Sequence, residues 1–174
     1  MKSASRAVLL SVLASCAAVL PAGAEEFTVA GLAFSTPKDF VSQKPASRMR
    51  KAQFQVGDGA VAGEIVFFYF GAGGAGGVDA NVKRWFGQFK EPLEAIAPKT
   101  EKSKAGEVPV TFVSAQGTYL SGPPRGPSVA KPGYALLGAI VEGKQGAIFV
   151  KFTGPKATVA ANAEAFRKMI TGAK

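Results

Sequence analysis

Residues Glu64 to Phe70 (EIVFFYF) put apolar side chains on both faces of one seven-residue run. A strand of that composition belongs in the middle of a sheet and needs a layer of structure on each side. The rest of the chain offers partners for it. Residues 26–36 (EFTVAGLAFST) read as two short extended pieces around Ala30-Gly31, stopped by Pro37. Met49 to Val56 has period-two spacing, with Ala52, Phe54 and Val56 on one face, before the turn chemistry of Val56 to Ala60 (VGDGA). Residues 99–104 (KTEKSK) and 107–120 flank Ala105-Gly106 as a hairpin, and Lys99, Lys102 and Lys104 are expected to share one strand face. A second hairpin joins Tyr134–Glu142 to Ala147–Thr153 through Gly143 to Gly146.

Two amphipathic helices supply the covering layers. Val78, Val82, Trp85, Phe86 and Phe89 form one apolar stripe, with Asp79 as its N-cap and Pro92 ending the run. Val159, Ala163, Phe166 and Ile170 form the other, over Pro155 to Ile170, with Pro155 suited to a first turn. Hairpins in series with two such helices define an α+β fold, a mostly antiparallel β-sheet with both helices packed on it as an α/β/α sandwich. Residues 25–174 are read as a single domain. The stretch from Ser121 to Gly133 (SGPPRGPSVAKPG) is expected to stay out of any ladder and project as a stiff loop carrying Arg125 and Lys131.

The first 24 residues read as an export signal: basic Lys2 and Arg6, an uncharged run from Ala7 to Leu20, then Pro21 to Ala24 (PAGA) as a small-residue cleavage site. The run is shorter than the roughly 20 residues a membrane-spanning helix needs. Leu13 to Cys16 (LASC) also resembles a lipobox, but apolar residues continue past Cys16, so cleavage after Ala24 is favoured, with lipid anchoring through Cys16 as the alternative. Either layout places the protein outside the cytoplasm, periplasmic or secreted, with membrane contact only if Cys16 is lipidated.

The sequence resembles a known architecture at several points. Phe34 to Phe40 (FSTPKDF), Ser47 to Ala52 (SRMRKA) and a closing helix are similar to the PsbP-like α/β/α sandwich. More narrowly, Phe68 to Gly71 (FYFG), Asn81 to Trp85 (NVKRW) with Gln88-Phe89, Pro132 to Tyr134, Leu137 to Glu142 (LGAIVE) and Phe152 to Pro155 (FTGP) resemble an uncharacterised group of exported bacterial proteins. The resemblance implies the fold and an exported setting. It carries over no catalytic residue.

Chemistry is limited by what the chain lacks. Histidine is absent and there is one cysteine, so Ser-His-Asp triads, Cys-His pairs and the usual zinc and haem ligand sets are excluded, and no cofactor is expected. Gly71, Gly73 and Gly76 match the dinucleotide fingerprint, but the surrounding tract is all Gly and Ala, so a slack loop is the favoured reading. Glu91 and Glu94 lie three apart in a lysine-bearing stretch that reads as a solvated face. Glu64 opens the most apolar strand and is the one carboxylate with a case for acid–base work.

Positive charge is the remaining signal. The chain carries 21 Lys and Arg against 12 Asp and Glu, and without Lys2 and Arg6 the balance becomes 19 against 12, a net +7. Arg48, Arg50 and Lys51 form the tightest cluster; with Arg125 and Lys131 they make the candidate contact surface. Export directs such charge toward an envelope protein or an anionic envelope polymer rather than nucleic acid, with plain solubility as the alternative. The favoured reading is therefore an exported, non-enzymatic binding or assembly module of the cell envelope. A carboxylate-dependent enzyme using Glu64 and a small-ligand carrier are the alternatives; the oligomeric state is open.

Overall fold

The computed structural model describes residues 25–122 and 126–174. The expected signal segment, with Cys16, and the candidate contact residue Arg125 lie outside the described residues. Strands β1 (Glu26–Val29) and β2 (Leu32–Ser35) form a hairpin of their own. The others are β3 (Phe40–Ser42), β4 (Arg50–Val56), β5 (Gly63–Tyr69), β6 (Lys99–Ala105), β7 (Val108–Ser121), β8 (Val129–Gly143) and β9 (Gly146–Pro155). They build one sheet of order β3-β4-β5-β9-β8-β7-β6, antiparallel at every pairing. Helices α1 (Val78–Phe86) and α2 (Lys156–Thr171) lie on opposite faces of it. The two-sided covering that residues 64–70 demand is thus met.

On one face, α2 buries Val159, Phe166, Met169 and Ile170, with the Phe166 ring 5.8 Å from that of Phe152. The β1–β2 hairpin completes this layer. Phe27 and Phe34 pack against Phe67 at centroid distances of 4.9 and 5.1 Å, both edge-on, the arrangement favoured by the aromatic quadrupole. Two backbone bonds between Ala33 and Lys174 (2.9 and 3.1 Å) fasten the hairpin to the residues that follow α2.

On the other face, Trp85 of α1 lies directly on Gly138 of β8. A Cβ at position 138 would collide with the indole ring and would sit 2.8 Å from a Val113 methyl. The glycine is therefore a notch in which the helix docks. Trp85 also meets Phe149 edge-on at 6.4 Å, and Ile96, Leu136 and Ile140 close the cluster.

Four expectations are corrected. Helix α1 stops at Phe86, capped by Gly87, and starts after Gly77, with Asp79 inside its first turn. The chain leaves the helix early because residues 88–90 pair with β7 instead: the Leu120 amide donates to the Gln88 carbonyl (2.7 Å) and the Lys90 amide to the Thr118 carbonyl (2.9 Å). The stretch expected to stand outside any ladder contributes Val129 to Gly133 to β8, where Lys131 pairs with Tyr119 and Val129 with Ser121. A bulge makes this feasible, since Pro132 and Gly133 share the place opposite Thr118, and a bulge tolerates a residue without an amide hydrogen. Residues 40–42, unassigned from the sequence, form the edge strand β3. Finally, Lys99 pairs opposite Ser114 on the α2 face, whereas Lys102 and Lys104 point to the α1 face, so the three lysines do not share a side.

The docking notch yields a test. Gly138→Val should destabilise the protein by about 1–3 kcal/mol, the usual cost of overpacking, in urea unfolding. Because Trp85 is the only tryptophan, the same variant should shift its fluorescence toward that of a wetter indole. An unchanged emission maximum would show that α1 is not seated there.

Candidate functional site

Alternation along the strands aims Glu64 of β5, Gln53 and Gln55 of β4, and Lys151 and Thr153 of β9 at the α1 side of the sheet. Arg50 joins them through an irregularity. The β4–β5 register shifts between Arg50 and Ala52, so Arg50 pairs with Phe68 rather than falling on the opposite face from Gln53. Its guanidinium stacks over the Phe68 ring at 5.9 Å.

Helix α1 does not reach this end of the sheet. Instead the far ends of β7 and β8, beyond the bulge, bring Tyr119, Ser121 and Lys131 to it, and Tyr134 joins them from the near side of the bulge. The result is a cleft of about 440 Å³ whose walls carry Arg50, Gln53, Glu64, Tyr119, Lys131 and Tyr134. Arg50 donates one bond to Glu64 Oε1 (2.9 Å) and one to Gln53 Oε1 (3.0 Å), both from the same terminal nitrogen. Gln53 Nε2 donates to Glu64 Oε1 as well (2.9 Å). Lys131 holds its ammonium 5.2 Å above the Tyr134 ring.

Beneath the wall lies a cation without a counter-ion. Lys151 Nζ donates to the Tyr119 hydroxyl (2.8 Å) and to Gln88 Oε1, and none of the four ion pairs among the described residues includes it. Burial lowers its pKa to about 8, an effect that the nearby charge of Glu64 partly offsets. Tyr119 is pushed up to about 12, first by burial and then by the field of Glu64. The segment after α1 holds Gln88 in place. There the Thr118 amide donates to both oxygens of Glu91 (3.0 and 2.8 Å), and hydrogen bonding from Thr118 keeps the Glu91 carboxyl below the ordinary range.

The candidate contact residues are divided by this geometry. Arg50 and Lys131, distant in sequence, line the same cleft. Arg48 is exposed in the turn before β4, and Lys51 is exposed at the register shift and does not line the cleft. Sequence reasoning missed Lys151, Tyr119 and Gln88. An isolated lysine in the apolar run Ala147 to Phe152 (AIFVKF) was the available signal for the first of them.

Glu64 is the one carboxylate on the cleft wall, and its partners are Arg50 and Gln53 rather than a second acid. Paired-carboxylate chemistry needs two. Glu91 is engaged with Thr118, and Glu94 stands exposed in a short 3₁₀ turn (Leu93–Ala95). Among the described residues no three carboxylate or thiol side chains gather as a metal cage. The glycine tract does adopt left-handed backbone at Gly71, Gly73 and Gly76 (φ 83°, 72° and 77°). It is closed by the chain itself: Asn81 Nδ2 donates to the carbonyls of Ala75 (2.9 Å) and Gly77 (3.0 Å). The strand it follows lies in an antiparallel sheet, not the parallel βαβ unit of dinucleotide-binding folds. A groove of about 540 Å³ along α1 is more apolar, with Val82, Phe86, Phe89 and Leu93 in its lining beside Asp79, Lys83 and Glu91, and Glu91 is already engaged with Thr118.

The layers and strand order define an α+β sandwich built on one antiparallel sheet. Among solved structures, that of cyanobacterial PsbP (CyanoP) from Synechocystis sp. PCC 6803, determined in solution, is similar with a TM-score of 0.54 at 10% sequence identity. The match covers 93% of this chain and 98% of that one. The chain therefore has a PsbP-like fold, and likeness at this identity speaks to the fold alone. No family model and no curated protein matches the sequence.

The buried lysine makes stability pH-dependent with a definite sign. Its folded pKa, about 8, lies below the unfolded value of roughly 10.4, so between these limits the unfolded chain binds more protons and stability rises with pH. The opposing contribution of Tyr119 begins only above pH ~10, where the unfolded phenol ionises first. Urea midpoints should therefore climb from pH 8 to 10 in the wild type. Lys151→Met should flatten that climb and raise the midpoint at pH 7. A parallel pH profile in the variant would refute this assignment.

Proposed function

We propose that this chain is an exported, non-enzymatic binding module of the bacterial cell envelope, and that the cleft between the β4–β5–β9 surface and the far end of β7–β8 is its recognition surface. The observation that carries this reading is the convergence of Arg50 and Lys131, from opposite walls, on one polar cleft. The layout of residues 1–24 supports export. The concave shape of the cleft favours a small ligand or the protruding end of a larger one over a flat protein surface.

Two measurements test the two parts. When the full chain is expressed with a C-terminal tag, the tagged protein should be recovered from the envelope or periplasmic fraction at the mass of residues 25–174 plus the tag. Replacing Lys2 and Arg6 with Glu should hold it in the cytosol. Capture of components from envelope extracts should fall at least tenfold in the Arg50→Ala/Lys131→Ala double variant. Recovery in the cytosolic fraction would overturn export, and equal capture by the double variant would overturn the cleft as the contact surface.

A further inference from the structure

The chemistry of the cleft walls narrows the occupant, given the binding role proposed above. An apolar guest would strand the amide of Gln43 and the hydroxyls of Ser121 and Thr153 away from water, at a cost for every unpaired group. The guest must therefore offer many donors and acceptors of its own. It must also answer an excess of positive charge, because two cationic side chains face the space and Glu64 alone opposes them.

The unused valences sharpen this. Arg50 commits one terminal nitrogen to Glu64 and Gln53, while its other terminal nitrogen and its Nε have no partner among the described residues. Those two N–H groups form a planar fork suited to a carboxylate or phosphate. Lys131 forms no ion pair among the described residues and adds a second positive charge. Glu64 accepts its bonds on Oε1, and Oε2 has no donor among the described residues, so it is an acceptor for a hydroxyl. An oxyanion at one end of the ligand and hydroxyl groups beside it would satisfy both. A volume of about 440 Å³ falls at the small end of the roughly 300–1,000 Å³ typical of small-molecule sites.

We propose that the cleft binds an acidic saccharide, with its carboxylate or phosphate on Arg50 and Lys131 and a ring hydroxyl donating to Glu64. The same chemistry is offered by a free acidic sugar and by the acidic terminus of an envelope glycan. The ligand approaches from the open side, and Lys151 stays behind Tyr119 as part of the wall rather than as a direct contact.

Titration calorimetry on protein purified from cells expressing the full chain tests this with five probes: glucose, glucuronate, glucose 6-phosphate, inorganic phosphate and a glucuronate-terminated oligosaccharide. Glucuronate or glucose 6-phosphate should bind at least tenfold more tightly than glucose and than phosphate alone, and binding should weaken with added salt. The oligosaccharide binding more tightly than the monosaccharides identifies a glycan end as the source; equal or weaker binding identifies a free sugar. Arg50→Ala should abolish the preference for acidic over neutral sugar. Lys131→Ala, which breaks no ion pair, should reduce it several-fold while Trp85 fluorescence stays native. Phosphate binding as tightly as glucose 6-phosphate, glucose binding as tightly as glucuronate, or no saturable binding of any sugar would each overturn the proposal. The wider binding-module reading would survive those results if the double variant still lost envelope capture, and would fall only if it did not.

Discussion

Three stretches of chain distant in sequence meet at the ammonium of Lys151: β9, which carries it; the far end of β7, which lays Tyr119 over it; and the segment after α1, which supplies Gln88. An ammonium removed from water needs oxygen acceptors from the protein itself, and here both are neutral. The surrounding architecture satisfies that need. Helix α1 has to end at Phe86 so that Gln88 reaches the lysine, and β7 and β8 have to run past the rest of the sheet so that Tyr119 can cover it. The bulge at Pro132-Gly133 and the Glu91 clamp on Thr118 follow as the means of holding these pieces in position.

The two helices are unequal, and that inequality creates the cleft. At 1.5 Å per residue, the sixteen residues of α2 span roughly 24 Å and the nine of α1 roughly 14 Å. The longer helix, with the β1–β2 hairpin beside it, closes one face with phenylalanines. The shorter one seals only the part of its face centred on Trp85 and Gly138. The remainder is left to polar side chains, which the strand alternation delivers from β4, β5 and β9.

Much of this was legible in residue patterns. The doubly apolar run at 64–70, the hairpins around residues 105–106 and 143–146, and the two apolar stripes fixed the layers, because they rest on local periodicity. The site was less legible, since its members are joined by features without a periodic signature. Arg50 was visible as part of a basic cluster, but only the register shift next to Lys51 turns it toward Glu64 and separates it from its neighbours Arg48 and Lys51. The prolines around Lys131 point to a loop, whereas a bulge absorbs Pro132 and lets the strand continue. The apolar stripe reaches Phe89 and so implies a helix through residue 88, yet pairing with β7 outcompetes the last helical turn and frees Gln88 to reach Lys151.

The open sheet also has two margins where backbone groups lack a neighbouring strand among the described residues. At one, β3 is only three residues long and offers little to a strand from another molecule. At the other, β6 is a full seven residues, but its sequence KTEKSKA is mostly charged and exposed, with three lysines against one glutamate. Lysines along a sheet margin repel the same margin of a second molecule and keep water on the free amides. The scattered positive charge thus has a second employment far from the cleft, as a guard against strand-to-strand polymerisation at high concentration.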